Sequence, residues 1–288
     1  MIPMTATTVQ QALTPQKGGF LVPGFSHTLN PYLGCAFGGH GCPFCYVRAS
    51  PAGRFGPAAW GTWVVQKANI AEVLEAELRS PRARQYRVFL ASATDPYQAA
   101  EAYGHVTHQC LAVFRAYPVA WLVVQTRSLL VRQDFARLAQ LPFVTLNVTI
   151  ETDRLDMHRG FTRGAAAPAR RMQLVREALA HGIATQITVA PYLPSSPAFA
   201  ERLAAAVGTR GRIIVDNLYD GDGSKKQNGQ RSRTLGMGAR LTAAGFPGWF
   251  ERCQEHARAL ADRLRALLGA ERVLWSAAGF TTPWQELI

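Results

Sequence analysis

Lysine is nearly missing from this chain: four residues (Lys17, Lys67, Lys225, Lys226) stand among 31 basic ones. Acid is scarce too, and 19 Asp and Glu leave a formal net charge of +12, carried almost wholly by arginine. Such an excess favours an anionic partner, nucleic acid first. The coding bias of a GC-rich genome, which enriches Arg and Ala, gives the same balance, so charge alone leaves both explanations open. No uninterrupted apolar run approaches the roughly 20 residues that span a bilayer. The N-terminus lacks the basic start and apolar block of a secretory signal. These absences point to a cytoplasmic protein without membrane contact, in which residues 1–18 form a loose polar lead-in. Cysteine is sparse: there are five, an odd number, and three of them crowd between Asn30 and Arg48. A secreted disulfide framework would be even and spread out, so a reducing compartment and a metal site fit better. No G-x-G-x-x-G turn follows a strand, which argues against a doubly wound dinucleotide-binding fold.

What is present is alternation. Short apolar, β-branched runs at Phe20–His27, Arg87–Ala91, Val119–Thr126, Phe143–Ile150, Ile183–Val189 and Ile213–Asn217 read as strands. Trp63–Val65 and Val273–Trp275 read as two more short ones. Between them lie helical patterns at Asn69–Leu78, Gln98–Tyr117, Asp134–Gln140, Ala167–His181 (stopped by Gly182), Ala198–Val207 and Pro247–Leu268. Strands alternating with helices imply βαβ units and a parallel sheet. Six units are too few for a closed eight-fold barrel. The expected fold class is therefore α/β, a partial (β/α)6 TIM-type barrel over residues 19–219 with a C-terminal helical extension over 220–288. In parallel α/β folds the chemistry gathers at the C-terminal ends of the strands. The segment Asp220–Gly238, rich in Gly and basic residues, is expected near that end as a lid or as a solvated loop. Phe280 and Trp284 are expected to tuck the C-terminus back onto the sheet.

The stretch at residues 30–48, NPYLGCAFGGHGCPFCYVR, spaces its cysteines C-x6-C-x2-C. Three thiolates with no fourth nearby ask for a metal centre with one open position. A zinc site completed by His40 is one answer; a [4Fe–4S] cluster with one iron open is the other. Cys110 and Cys253 fall in predicted helices and read as small buried hydrophobes. His105 and His108 share a helix but have no third ligand, so they read as ordinary surface or core histidines. Tyr32 and Tyr46 flank the loop, where they shape a pocket or simply pack.

Asn-Pro-Tyr followed by Gly-Cys, a loop, Cys-x-x-Cys-Tyr and Arg resembles the cluster loop of radical S-adenosylmethionine (SAM) enzymes, in particular the spore photoproduct lyase-like branch, often labelled DNA repair photolyases. Four further stretches resemble that branch: Ser92 to Gln98 with Glu101, Gln125 to Ser128, Asn147 to Glu151, and Val189 to Pro194. The resemblance runs from about Phe20 to Asn217. It implies a [4Fe–4S] cluster on Cys35, Cys42 and Cys45, with SAM on the open iron and cleaved to a 5′-deoxyadenosyl radical. It also implies SAM contacts: Ser92 and Asp95 at the amino group, Arg127 at the carboxylate, Asn147, Thr149 and Glu151 at the ribose, and Phe44 beside the adenine. The implied partners are a DNA or RNA substrate and an electron donor such as flavodoxin or ferredoxin, serving a monomer. A peptide or small-molecule maturase, or a nucleic-acid-binding protein with structural zinc, are the alternatives. Two departures from the branch stand out. Six residues, not three, separate the first two cysteines, a length Gly38 and Gly39 would let fold back. Ser92, or Ala93 if the alignment slips, stands where spore photoproduct lyases carry a hydrogen-donating cysteine, and a hydroxyl donates hydrogen atoms far less readily than a thiol.

Overall fold

The β-branched runs do pair side by side. The computed structural model describes residues 4–22, 24–224 and 226–283, and its eleven strands fall into two sheets. They are β1 (Met4–Thr7), β2 (Leu13–Pro15), β3 (His27–Leu29), β4 (Tyr32–Gly34), β5 (Val64–Lys67), β6 (Arg87–Leu90), β7 (Trp121–Thr126), β8 (Val144–Thr149), β9 (Thr185–Val189), β10 (Arg212–Val215) and β11 (Val273–Trp275). The main sheet has the order β11-β10-β9-β8-β7-β6-β3-β2. All its pairings are parallel except β2 with β3. A small sheet, β1-β5-β4, stands beside it.

Each main strand alternates between two buried faces. Val88 and Leu90, Leu122 and Val124, Leu146 and Val148, Ile187 and Val189, and Ile213 and Val215 meet the helices in the principal core. The opposite face carries a second apolar cluster of Phe25, Phe89, Trp121, Val123, Ile214 and Phe280. Phe89 on β6 and Ile214 on β10 are four strands apart, yet share that cluster through Phe280, so the sheet curves around it. The same inner face is polar elsewhere. Asn147 accepts a hydrogen bond from Gln186, and Gln186 accepts one from Arg212, so a side-chain ladder crosses β8, β9 and β10 in register.

Several expected boundaries move. The lead-in is not loose, because β1 and β2 tie it into both sheets. Residues 20–22 and 24 form turns, with Pro23 outside the described residues, and the first strand of the parallel core starts only at His27. The aromatic residues ahead of it fill the inner cluster instead, with Phe20 against Phe280 at 5.3 Å. Trp284 lies outside the described residues. The long C-terminal helix begins at Cys253 rather than Pro247. The helix expected over Gln98–Tyr117 is two helices, Glu101–Gly104 and Val106–Ala116, broken where His105 adopts φ 49°.

Glu101 explains that break. Its carboxylate accepts the backbone amides of Thr107 and His108, both at 3.0 Å, and so caps the second helix. It also accepts the Tyr32 hydroxyl at 2.5 Å, which fastens β4 to the helix layer. Removing a buried acceptor with three donors leaves those donors unsatisfied. Glu101→Ala is expected to lower unfolding stability by about 2–4 kcal/mol, read from urea denaturation.

Candidate active site

Because β6 to β10 run parallel, the residues after them emerge along one edge. A cavity of about 400 Å³ opens there. It is lined by all three clustered cysteines, by Phe44 and Tyr46 from the same loop, and by strand-end residues including Ser92, Asp95, Arg127, Asp216 and Asn217.

The cysteine loop follows β4. Its extra length folds back at Gly39 and Gly41, whose φ values of 75° and 60° lie in the left-handed region that glycine tolerates. Arg48 closes the loop: Nε donates to the Cys42 carbonyl at 2.9 Å and Nη2 to the His40 carbonyl. The segment after β6 holds the loop's other end. Gln98 accepts the Ala36 amide at 2.9 Å and donates to Thr94, which donates to the Gly34 carbonyl at 2.6 Å. Asn30 accepts the Ala93 amide at 2.9 Å. The motif that reads as a ligand-binding strand end thus clamps the cysteine loop.

The three cysteines are free thiols. Burial pushes Cys35 up to about 11 and Cys42 up to about 12, with the neighbouring thiols adding to both. A bound cation is what would hold them as thiolates. Among the described residues, no three of His, Cys, Asp and Glu gather around a point where a single metal ion would sit. His40 is exposed and does not line the cavity, so a zinc site of three cysteines and this histidine is not assembled. Three sulfur donors around one cavity suit a larger, sulfur-bound cluster.

Arg127 projects from the end of β7 with its guanidinium carbon 5.9 Å from the centre of the Phe44 ring. Its Nε donates to Glu151 at 2.5 Å and Nη2 to the Ala190 carbonyl at 3.3 Å. Asp95 accepts the Tyr97 amide and the Thr126 hydroxyl on Oδ1 and the Arg127 amide on Oδ2. Burial still raises its pKa, and those hydrogen bonds oppose the shift. Ser92 Oγ accepts from Asn30 at 3.3 Å.

Asn147, Thr149 and Glu151 are buried and do not line the cavity. Thr149 pairs with the Thr188 hydroxyl at 3.0 Å. Glu151 sits between two guanidiniums, Arg127 and Arg171. Burial opposes its ionisation, but the two arginines outweigh burial and hold its pKa at about 2. Since the folded pKa lies below the unfolded 4.5, Glu151 contributes stability that is fully present above about pH 4.5 and lost as pH falls toward 2. The loss is on the order of 3 kcal/mol. Urea denaturation at about pH 6 and pH 3 is expected to show this slope in the native chain and a shallower one in Glu151→Gln.

Sequence reading missed Arg171, Arg212 and Asp216. Arg171 sits in a helix that reads as wet, and nothing in its spacing marks it as buried. For β10 a signal existed: Arg212, Ile214 and Asp216 alternate onto one face of a strand that is otherwise apolar. Cys110 is fully buried in the helix layer, and Cys253 lies beneath Asn217, its sulfur 3.9 Å from the amide oxygen. Neither lines the cavity. His108 is engaged with Asp134 at 2.5 Å and Arg137 at 2.8 Å. The basic segment is folded onto the site: Asp222, Gly223 and Ser232 line the cavity, and Arg231 stands over the Tyr46 ring at 5.9 Å.

The model of the radical SAM superfamily matches residues 29–195, and the chain belongs to that superfamily. An uncharacterized protein of Mycobacterium bovis is 32% identical over 189 residues, 64% of this chain and 54% of its own length. An uncharacterized protein of Methanocaldococcus jannaschii is 21% identical over 173 residues, 60% of this chain and 62% of its own. The chain thus spans about half to three fifths of the curated relatives it matches. Among solved structures, spore photoproduct lyase complexed with dinucleoside spore photoproduct is similar at a TM-score of 0.65 and 13% identity, covering 95% of this chain and 81% of that one. Streptococcus suis SuiB bound to precursor peptide SuiA is similar at 0.53 and 14%, covering 91% and 51%. At these identities the likeness establishes the α/β fold. No helix among the described residues is long and apolar enough to cross a membrane.

Proposed function

We propose that this chain is an enzyme that holds a [4Fe–4S] cluster on Cys35, Cys42 and Cys45 and binds SAM at the open iron, inside a (β/α)6 partial barrel made of β3 and β6 to β10. The observation that carries this reading is the convergence of three free thiols on one strand-end cavity. Once bound and reduced by one electron from a donor such as flavodoxin or ferredoxin, the cluster and SAM would supply a 5′-deoxyadenosyl radical for hydrogen abstraction.

The chain's own residues bind, orient and shield. Arg127 is fixed in direction by Glu151 and the Ala190 carbonyl, and its guanidinium suits the SAM carboxylate. Ser92 Oγ and the remaining lone pair of Asp95 Oδ2 take the amino group. Phe44 flanks the adenine. Asn147, Thr149 and Glu151 act from behind the wall, Glu151 by aiming Arg127. Gly221, Asp222, Gly223 and Ser232 of the basic segment wall the cavity and limit entry of water.

The substrate class we favour is nucleic acid, for lesion repair or modification. The net charge of +12 supports it, as does the fold shared with a lyase solved with a dinucleoside photoproduct. With serine at position 92 and both remaining cysteines outside the cavity, no cysteine besides the cluster ligands stands ready to donate hydrogen to a product radical. A modification that ends without such a donation therefore fits better than the photoproduct reaction. The test begins with anaerobic purification. The protein is expected to be brown, with about four iron and four sulfide per chain. A colourless protein with one zinc would overturn the reading. Single-stranded oligonucleotide binding that weakens with salt supports the nucleic-acid substrate; salt-insensitive peptide binding in its place supports a peptide maturase.

A further inference from the structure

Asp216 follows the last residue of β10 on the inner face of the sheet. It is 2% exposed and borders the cavity. Its Oδ1 accepts the Asn217 amide at 2.8 Å. No cation pairs with the carboxyl among the described residues, and besides the Asn217 amide only the Ser276 hydroxyl stands ready to donate to it. Other acids at the cavity are better matched: Asp95 takes three donors, and Asp222 takes the amides of Ser224 and Arg231. Burial, with repulsion from Asp220 and Asp222, pushes Asp216 up to about 7. The turn that opens the basic segment is built around this group. A side chain at Gly221 would occupy the space the Asp216 carboxyl fills. Two oxygens carry about four acceptor positions, so a buried carboxyl with one amide and one hydroxyl beside it keeps capacity for a donor on a bound molecule.

We propose that Asp216 is a substrate-recognition residue that accepts a hydrogen bond from a ring N–H or amino group of a nucleobase held in the cavity. The inference rests on the nucleic-acid reading above. SAM is the less suitable donor, because its amino group is already assigned to Ser92 and Asp95 in that reading. Nucleobases offer N–H groups on their edges, which aspartate accepts in base recognition. Their flat faces suit the aromatic walls made by Tyr46 and Phe280.

The experiment uses the cluster-loaded enzyme and four short single-stranded DNA probes, each built of one base, with SAM affinity measured in parallel. The wild type is expected to prefer some bases. Asp216→Asn keeps the size and the Asn217 contact but turns an acceptor into a donor. It is expected to weaken the preferred probe about tenfold and leave the least preferred within about twofold. Gly221→Ala, which crowds the carboxyl without removing it, is expected to act in the same direction. Equal losses on all four probes, no base preference in the wild type, or loss of SAM affinity alone would overturn the inference. A wild type that discriminates and an Asp216→Asn variant that discriminates identically would overturn only this inference. A wild type that binds none of the probes would overturn the nucleic-acid reading and this inference together.

Discussion

Cys42→Ala is expected to lose 5′-deoxyadenosine formation to background and to lose most of its bound iron. Three thiolates are already one fewer than the usual number for such a cluster, and two hold it too weakly to survive purification. Cys42 also sits where the loop is most constrained, because Arg48 grips its carbonyl and the Cys45 amide donates to it at 3.2 Å. The backbone survives the substitution while the ligand does not. The control is Cys110→Ala. That thiol is fully buried among helix-layer side chains and lies outside the cavity. Its loss is expected to cost about 1 kcal/mol of stability and leave cleavage intact. Iron analysis and product chromatography on both variants check the contrast.

The second large effect is structural. Arg171→Met is expected to destabilise the fold by about 3–5 kcal/mol, because it leaves a buried carboxylate short of one partner. Arg171 is fully buried. It donates to Glu151 at 2.8 Å, to the Ala166 carbonyl at 2.9 Å and to the Thr149 carbonyl, joining the helix Pro168–Ala180 to the end of β8. With Arg171 gone, Glu151 depends on Arg127 alone, and the guanidinium proposed for SAM is drawn deeper into structural work. The double variant Arg171→Met/Glu151→Gln removes the charge as well and is expected to recover part of the loss. Urea midpoints followed by circular dichroism measure both. A single variant within about 1 kcal/mol of the native chain would contradict the account.

The cysteine loop and the strand ends were legible because their signals are local. A C-x6-C-x2-C run among glycines, and Ser92 and Arg127 just past two apolar strands, need no partner to be recognised. The helix layer was legible for the same reason, since Ile70, Leu74 and Leu78 repeat at helical spacing and are all buried. What stayed hidden depends on long-range partners. β1 and β2 are only three or four residues long, and β1 pairs with β5 across a long stretch of sequence, so no periodicity announces them. Asp95 reads as a ligand residue, but its carboxyl accepts the amide two residues on and fastens the end of β7. Glu151 reads as a ribose contact and sits behind Arg127, because Arg171 arrives from a helix twenty residues later. The polar inner face was the hardest to see. Asn147 reads as a ribose contact and Gln186 and Arg212 as ordinary strand residues, and only the pairing of β8, β9 and β10 in register makes them neighbours.

The central claim is that the three thiols hold a cluster able to cleave SAM. It is tested most directly by incubating the anaerobically reconstituted protein with SAM and dithionite and quantifying 5′-deoxyadenosine. The account predicts product that rises with cluster content and requires both SAM and reductant. A protein with its iron and sulfide in place that yields no 5′-deoxyadenosine would contradict it.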